Sequence, residues 1–583
     1  TGIEGFTALT NLHCEVNELT SLDVSSNTAL TDLSCGHNEL TSLDVSSNTA
    51  LTYLDCNNNP LTSLDVSSNT ALTELQCYSN QLTSLDVTNN TALDTLICNN
   101  NPLTSLDVSA NTALIWLHCP DNQLTTLDVS SNTALTSLDC GSNSLTSLDV
   151  SANTALTNLR CLYNQLSTLD VSSNTALEYL TCQGNQFTSL NLTTNTALVQ
   201  LFCGHNQLTE LDLSNNPILN RLHCYNNTLT TLDVSLNTAL IDMNCQDNQL
   251  TSLDVSANTA LTALEAQGNQ LTSLDVSNNT ALNALRCGNN QLTTLDVSTN
   301  TALWDLRCGN NQLTSLNVIS NTALDILNCY SNQLTSLDVS INTALTQLRF
   351  YSNQITEIDL SSNTTLSNLE CGSNQLTSLD VSSNTALTSL VCQNNQLTYL
   401  NMKNGLTEQV TDFNATDNSL TCIETLDPDY ATANWTYAND NIDEGVTFAD
   451  ICYASNPSYT YVPDDNFEQH LINHGYDDVL DDYVLTQNIS NVDGLGIEIL
   501  GIADLTGIED FIALEYLQAY GNQLTTVDLS NNTALKSLAL SDNQLTSLNV
   551  NNNTALETIL IQNNPLTNLD VSANTSLTIL NCG

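Results

Sequence analysis

A solenoid of parallel strands stacked in 21-residue turns is the fold this sequence predicts, and three observations carry it. Cysteine recurs on a lattice of 21 residues, at Cys14, Cys35, Cys56 and onward to Cys392. Between the cysteines, leucine and valine hold the same places in each period. Two asparagines per period recur as regularly, one row running from Asn17 to Asn395 and the other from Asn27 to Asn384. Self-similarity at such a period marks a repeat architecture, and positions 14 to 392 define 19 turns.

One period reads LTDLSCGHNEL and then LTSLDVSSNTA, sharing Leu40. In the first half, Leu30, Leu33, Cys35 and Leu40 point inward; in the second, Leu43, Val45 and Leu51 do. A single turn cannot bury these side chains. Stacked turns bury them against each other at about 4.8 Å per turn, so 19 turns predict a rod of roughly 90 Å. The first half supplies the front strand. The LDV of the second half predicts a narrower parallel sheet or an extended segment on the back, and a rather straight solenoid. The asparagines close the corners, where buried backbone donors and acceptors must be paired. An inward amide offers both a donor and an acceptor to adjacent turns.

The half-repeat LxxLxCxxNxL matches the leucine-rich-repeat consensus, with cysteine at its second strand leucine. Over nearly all its length the chain resembles bacterial leucine-rich-repeat proteins of the secreted or surface, internalin-like kind. The resemblance implies a leucine-rich-repeat solenoid with capping segments at its ends.

Five segments are expected. Residues 1–420 form a first array of about 19 regular turns plus an irregular one near Lys403–Phe413. Residues 421–454 break the lattice and read as a C-terminal cap, because an open sheet edge must be covered. Cys422 and Cys452 lie there off the lattice and are expected to staple it, which implies an oxidising, extracellular setting. A linker, 455–460, follows. Residues 461–504 then read as the N-terminal cap of a second unit. Asp464 or Asp465 can cap a helix running to about His474, and Gly475 can end it. Residues 505–583 form a second array, whose LTGIEDFIALEYL nearly copies the TGIEGFTALTNL at the chain start. Both ends read as cuts through solenoid, so two capped arrays in a longer natural chain are expected.

The ladder cysteines admit three readings: disulfides, a metal row, or small buried hydrophobes. Neighbours in a parallel sheet point the same way at about 4.8 Å, whereas a disulfide needs converging Cβ atoms about 3.8 Å apart. Where cysteine is missing the lattice holds Ala266, Phe350, Ala519, Leu540 and Ile561. None of these binds metal, so the buried-hydrophobe reading is preferred.

Composition narrows the partners. With 62 acidic and 7 basic residues the net charge is −55. Such a chain will not hold nucleic acid by charge. No run of 18 apolar residues is present, so no membrane insertion is expected. Nucleophile, phosphate-loop and zinc signatures are absent, and no enzymatic activity is expected. No cofactor is expected apart from calcium. For calcium the candidates are Asp477 and Asp481 of DDVLDDYV, although Val479 stands where a third oxygen ligand belongs and Asp482 where glycine makes the turn. The aspartate of LDV recurs along the back from Asp23 to Asp380. Like charges so spaced repel, and mild acidification is expected to relieve the row.

The front strand is where the repetition stops. The candidate ligand-binding face comprises Tyr53, Trp116, His118, Arg160, Tyr179, Phe202, Arg221, His223, Arg286, Arg307, Arg349 and Tyr351. Arginine, tyrosine and tryptophan are enriched in binding hot spots. Drift at unconstrained positions would also produce variety, but the equally exposed back hardly varies. These observations predict an extracellular or cell-surface protein that recognises a protein or glycan through its front sheet. The alternative is a structural fibre or stalk of tandem capped arrays associating end to end.

Overall fold

The structure, a computed structural model, describes residues 2–452 and 459–583. Residues 453–458, which include most of the expected linker and the last two residues of the expected C-terminal cap, lie outside the described residues. The described residues form two compact units: 2–375 with 389–392, and 376–388 with 393–452 and 459–583.

In the first unit each turn contributes one three-residue strand, from Asn11–His13 and Asp32–Ser34 through to Ser389–Val391. Neighbours pair in parallel and in register, residue to residue 21 positions on, as in Asp32↔Tyr53 and Leu33↔Leu54. Strand alternation puts the middle residue inside and its two neighbours outside. Leu33, Leu54 and Leu75 are accordingly fully buried. The following cysteine turns inward too, and Cys35 through Cys329 are buried. Inter-turn bonding continues past the strand, with the Cys35 N–H donating to the Asp55 carbonyl at 2.8 Å.

Two residues after the lattice cysteine the backbone enters the left-handed region, as at His37 (φ 53°), Asn58 (φ 47°) and Ser79 (φ 53°). That bend ends the strand. Asparagine, aspartate, serine and histidine recur there, and Gly184 and Gly268 occupy it without a side-chain penalty.

The two asparagine rows differ. Asn59 Nδ2 donates to the carbonyls of Cys35, Cys56 and Asn57, and its Oδ1 accepts the Leu40 N–H at 2.9 Å. Asn48 Nδ2 donates to the Val24 and Asn27 carbonyls of the turn before, but its buried Oδ1 meets no donor among the described residues. The expectation that both amide groups work at both corners therefore holds for the first row only. In the second row the nearest backbone N–H groups serve other acceptors: the Asn48 N–H goes to Val45 and the Leu51 N–H to Asn48.

The back of the first unit is extended chain with isolated parallel bridges such as Asp23↔Asp44 and Asp44↔Asp65. In the second unit Ser378–Asp380, Tyr399–Asn401, Cys422–Glu424 and Thr447–Ala449 form a true parallel ladder. A helix, Pro428–Asn434, starts with proline at its first turn and is capped by Asp427, which accepts the Tyr430 N–H. Cys422 and Cys452 are disulfide-bonded with Cα atoms 5.8 Å apart. Beneath them the buried Glu424 accepts the Cys452 N–H and the Tyr399 hydroxyl, and pairs with Lys403 at 3.2 Å.

Further along this unit Tyr459–Tyr461 pairs antiparallel with Tyr483–Leu485 around the helix Asp465–Asn473. Asp464 caps that helix through the Asn466 and Phe467 N–H groups. Its other oxygen accepts the N–H groups of Ala503 and Asp504, so one carboxylate fixes two segments. Val462, Phe467, Leu471, Val484 and Ile489 share one apolar core with Leu495, Leu517 and Leu538. The last three belong to a five-stranded parallel sheet that starts at Gly494–Gly496 and ends at Ile579–Asn581.

Candidate binding face

Each front strand presents its first and third residues outward. None of the twelve candidate residues is buried; Tyr53, His118, Phe202, His223 and Tyr351 are half-buried, whereas Trp116, Arg160, Tyr179 and Arg221 are exposed. Parallel registration sets them in two rows. Trp116, Ser137, Asn158 and Tyr179 occupy successive first positions, and His118, Asp139, Arg160 and Thr181 the corresponding third positions. Trp116 and Tyr179 stand three strands apart, about 14 Å at the usual strand spacing.

Between these aromatics lies a polar centre. Asp139 is almost fully buried and receives His118 Nδ1 at 3.4 Å and Arg160 Nε at 3.2 Å. Burial holds His118 below the ordinary imidazole range, although the Asp139 charge pulls the other way. Three turns on from Arg160, Arg221 and His223 both approach Asp242, at 4.0 and 3.2 Å. Asp242 lies below the usual carboxylate range, first because His223 hydrogen-bonds it. Phe202 meets His223 edge to face at 4.7 Å. Tyr53 has its hydroxyl pushed up to about 12, chiefly by burial.

The arginines are not free cations. Arg286 bonds Glu265 on one side and Asp305 on the other, at 2.7 and 2.9 Å. Arg307 bonds the same Asp305 at 2.8 Å, and Arg349 bonds Glu370 at 3.0 Å. Reading the arginines as exposed hot spots overlooked this pairing. The signal was available: in the register of these turns, acids 19 or 21 residues from an arginine are its spatial neighbours, as Glu265, Asp305 and Glu370 are. Beside the strands Tyr330 and Tyr351 stack at 4.7 Å, nearly parallel. The face is thus a mosaic of neutralised ion pairs and half-exposed rings on a rigid sheet.

The back offers a contrast. From Asp23 onward each aspartate accepts the N–H of the residue two positions on, as Ser25, Ser46 and Thr88 show. Hydrogen bonds from those serines and threonines hold Asp23, Asp44 and Asp86 below the usual carboxylate range, outweighing repulsion along the row. These bonds argue against acid relief of the row, an expectation that counted the neighbouring charges and not the serines.

In the acidic loop of the second unit, Asp477 and Asp481 are not among the three carboxylates that lie within 4.8 Å of one another. Asp481 Oδ1 accepts the Tyr483 N–H, and its own N–H donates to Glu468 Oε1. The structure instead gathers Asp465, Glu468 and Asp482, each offering an oxygen within 4.8 Å of the others. Sequence spacing within the loop could not show this, since two of the three come from the helix.

Among solved structures, the chain is similar to the functional domain of InlJ from Listeria monocytogenes, described as including a cysteine ladder. Identity there is 36% over 61% of this chain and 77% of that one, with a TM-score of 0.51. A leucine-rich-repeat protein of Leptospira interrogans is 27% identical over 57% of this chain and 92% of its own, with a TM-score of 0.53. YopM from Yersinia enterocolitica, at 24% identity, 76% of this chain, 91% of that one and a TM-score of 0.59, speaks for the fold alone. No family model matches the chain, and no curated protein does.

Proposed function

We propose that this chain, which belongs to the leucine-rich-repeat proteins, is an internalin-like bacterial scaffold working outside the cell. Its front sheet in the first unit would hold an extended protein segment or a glycan. The observation that carries this reading is the contrast between the two faces. The front places Trp116, Tyr179, Arg160 and Phe202 on invariant strand positions, while the back repeats Asp and Ser turn after turn. Rigid half-exposed rings lose little conformational freedom on binding, and aromatic and arginine side chains dominate binding energy. The cysteine ladder shared with the InlJ domain supports the internalin-like placement. The Cys422–Cys452 bond supports an oxidising setting.

The experiment is a screen of the chain against immobilised glycans and displayed peptides, followed by the Trp116→Ala, Tyr179→Ala double variant. A hit weakened at least about tenfold, which is roughly 1.4 kcal/mol, assigns the face. Hits that bind equally to the variant and to wild type would remove this face from the account.

A further inference from the structure

The strongest unassigned feature lies far along the sequence from that face, in the segment 459–504, and does not depend on what the front sheet binds. Asp465 and Glu468 occupy the first turn of the helix Asp465–Asn473. Asp482 immediately precedes the strand Tyr483–Leu485. One oxygen from each of the three carboxylates lies within 4.8 Å of the other two.

Two further facts distinguish this group from an ordinary acidic surface. Glu468 is fully buried, and although its Oε1 accepts the Asp481 N–H at 2.8 Å, its Oε2 meets no donor among the described residues. Neither is a lysine or an arginine at hand. All seven lysines and arginines of the chain are ion-paired to other acids. An enclosed carboxylate oxygen without a donor is costly unless something neutralises it.

We propose that Asp465, Glu468 and Asp482 bind a calcium ion. Calcium takes six to eight oxygens at about 2.3–2.6 Å, so two of its ligands can stand up to about 5.2 Å apart. Separations of no more than 4.8 Å fall inside that limit. Magnesium demands near-ideal octahedral geometry and gives up its water reluctantly, which three carboxylates on a helix and a loop serve less well. The ion would join the start of the helix to the end of the acidic loop, with Asp464 already tying the same helix start to Ala503 and Asp504. Its effect would be to lock the segment whose Phe467 and Leu471 complete the core of the second sheet.

The test uses the full chain in about 150 mM NaCl, where screening weakens diffuse attraction to the many exposed acids. Terbium serves as probe, because Tyr483 adjoins Asp482 and packs on Tyr461 at 5.2 Å, placing two sensitising rings at the site. Tyrosine-sensitised emission should saturate at one ion per chain and be displaced by calcium at concentrations where magnesium leaves it unchanged. Glu468→Gln should abolish the saturable signal, and Asp482→Asn and the exposed Asp465→Asn should weaken it by about tenfold or more. Asp44→Asn on the back row should leave it alone. Asp465 is exposed, so its variant does not threaten folding. Absence of a saturable signal in wild type would overturn the proposal, as would signals unchanged in Asp465→Asn and Asp482→Asn.

Discussion

Arg286 and Arg307 stand directly opposite each other on neighbouring parallel strands, and both close on the single buried carboxylate of Asp305. Like charges so placed repel. Here the shared anion turns the clash into a bridge across two turns, extended to a third by Glu265.

Asp305→Asn should therefore be among the more damaging front-face changes. It leaves two guanidinium groups facing each other with a buried neutral amide between them. Breaking a buried pair costs about 3–5 kcal/mol, and the partial exposure of both arginines reduces that to about 2–3 kcal/mol. Arg221→Ala removes a looser, exposed pair and should cost less than about 1 kcal/mol. Urea midpoints compared across both variants check the order; equal losses would mean that Asp305 is not the keystone of this network.

The back row governs the acid limb of stability. Asp23, Asp44 and Asp86 have folded pKa values below their ordinary ones, so the folded state binds protons less readily than the unfolded chain. Their contribution is fully present above the unfolded value of about 3.9 and is lost as pH falls through the folded values. Melting temperature should hold steady from pH 7 to about 5 and fall below about pH 4. A melting temperature that climbs on mild acidification would show that repulsion along the row outweighs the serine bonds.

Ladder thiols should be inert. Burial pushes Cys77, Cys161 and Cys308 up to about 12, so almost none is thiolate at pH 8. Intact-mass analysis after native labelling should show the exposed Cys582 modified and the half-buried Cys14 modified slowly. Additional labels should appear only in denaturant. Rapid native labelling at Cys161 would contradict its enclosure.

The two asparagine rows should respond unequally to truncation. Asn164 makes bonds to Cys140, Cys161 and Leu162 and accepts from Leu145, whereas Asn153 bonds only Val129 and Asn132. Asn164→Ala strands the larger number of backbone groups and should cost about 3 kcal/mol; Asn153→Ala also removes an unpartnered oxygen and should cost about 1–2 kcal/mol. Hydrogen exchange at the Leu145 amide provides a local readout, expected to quicken in Asn164→Ala alone.

Much of the fold was legible because a 21-residue period leaves one stacking register. With Leu33 and Cys35 assigned inward, the placement of Trp116 or Arg160 on the front follows by counting. What escaped the sequence depended on neighbours that counting does not rank. The capture of Arg286 and Arg307 by Asp305 required pairing Arg286 with the acid 19 positions on and Arg307 with the acid two positions before it on the same strand. The serine bonds on the back were hidden by attention to charge alone. The grouping of Asp465 and Glu468 with Asp482 arises from a helix and a hairpin folding together, outside the lattice altogether.

The amides of the asparagine rows join residues separated by 19, 21 and 24 positions, and each such bond is repeated identically one turn later. A gene encoding this chain can therefore gain or lose whole turns by unequal recombination without disturbing any remaining corner. Excising 21 residues from the middle of the first unit brings together two ends that were already equivalent; excising 20 leaves one turn of 22 residues whose corners no longer register with its neighbours. Copy number is thus free to vary while the contents of each turn are edited one front residue at a time, so length and surface can evolve on separate schedules.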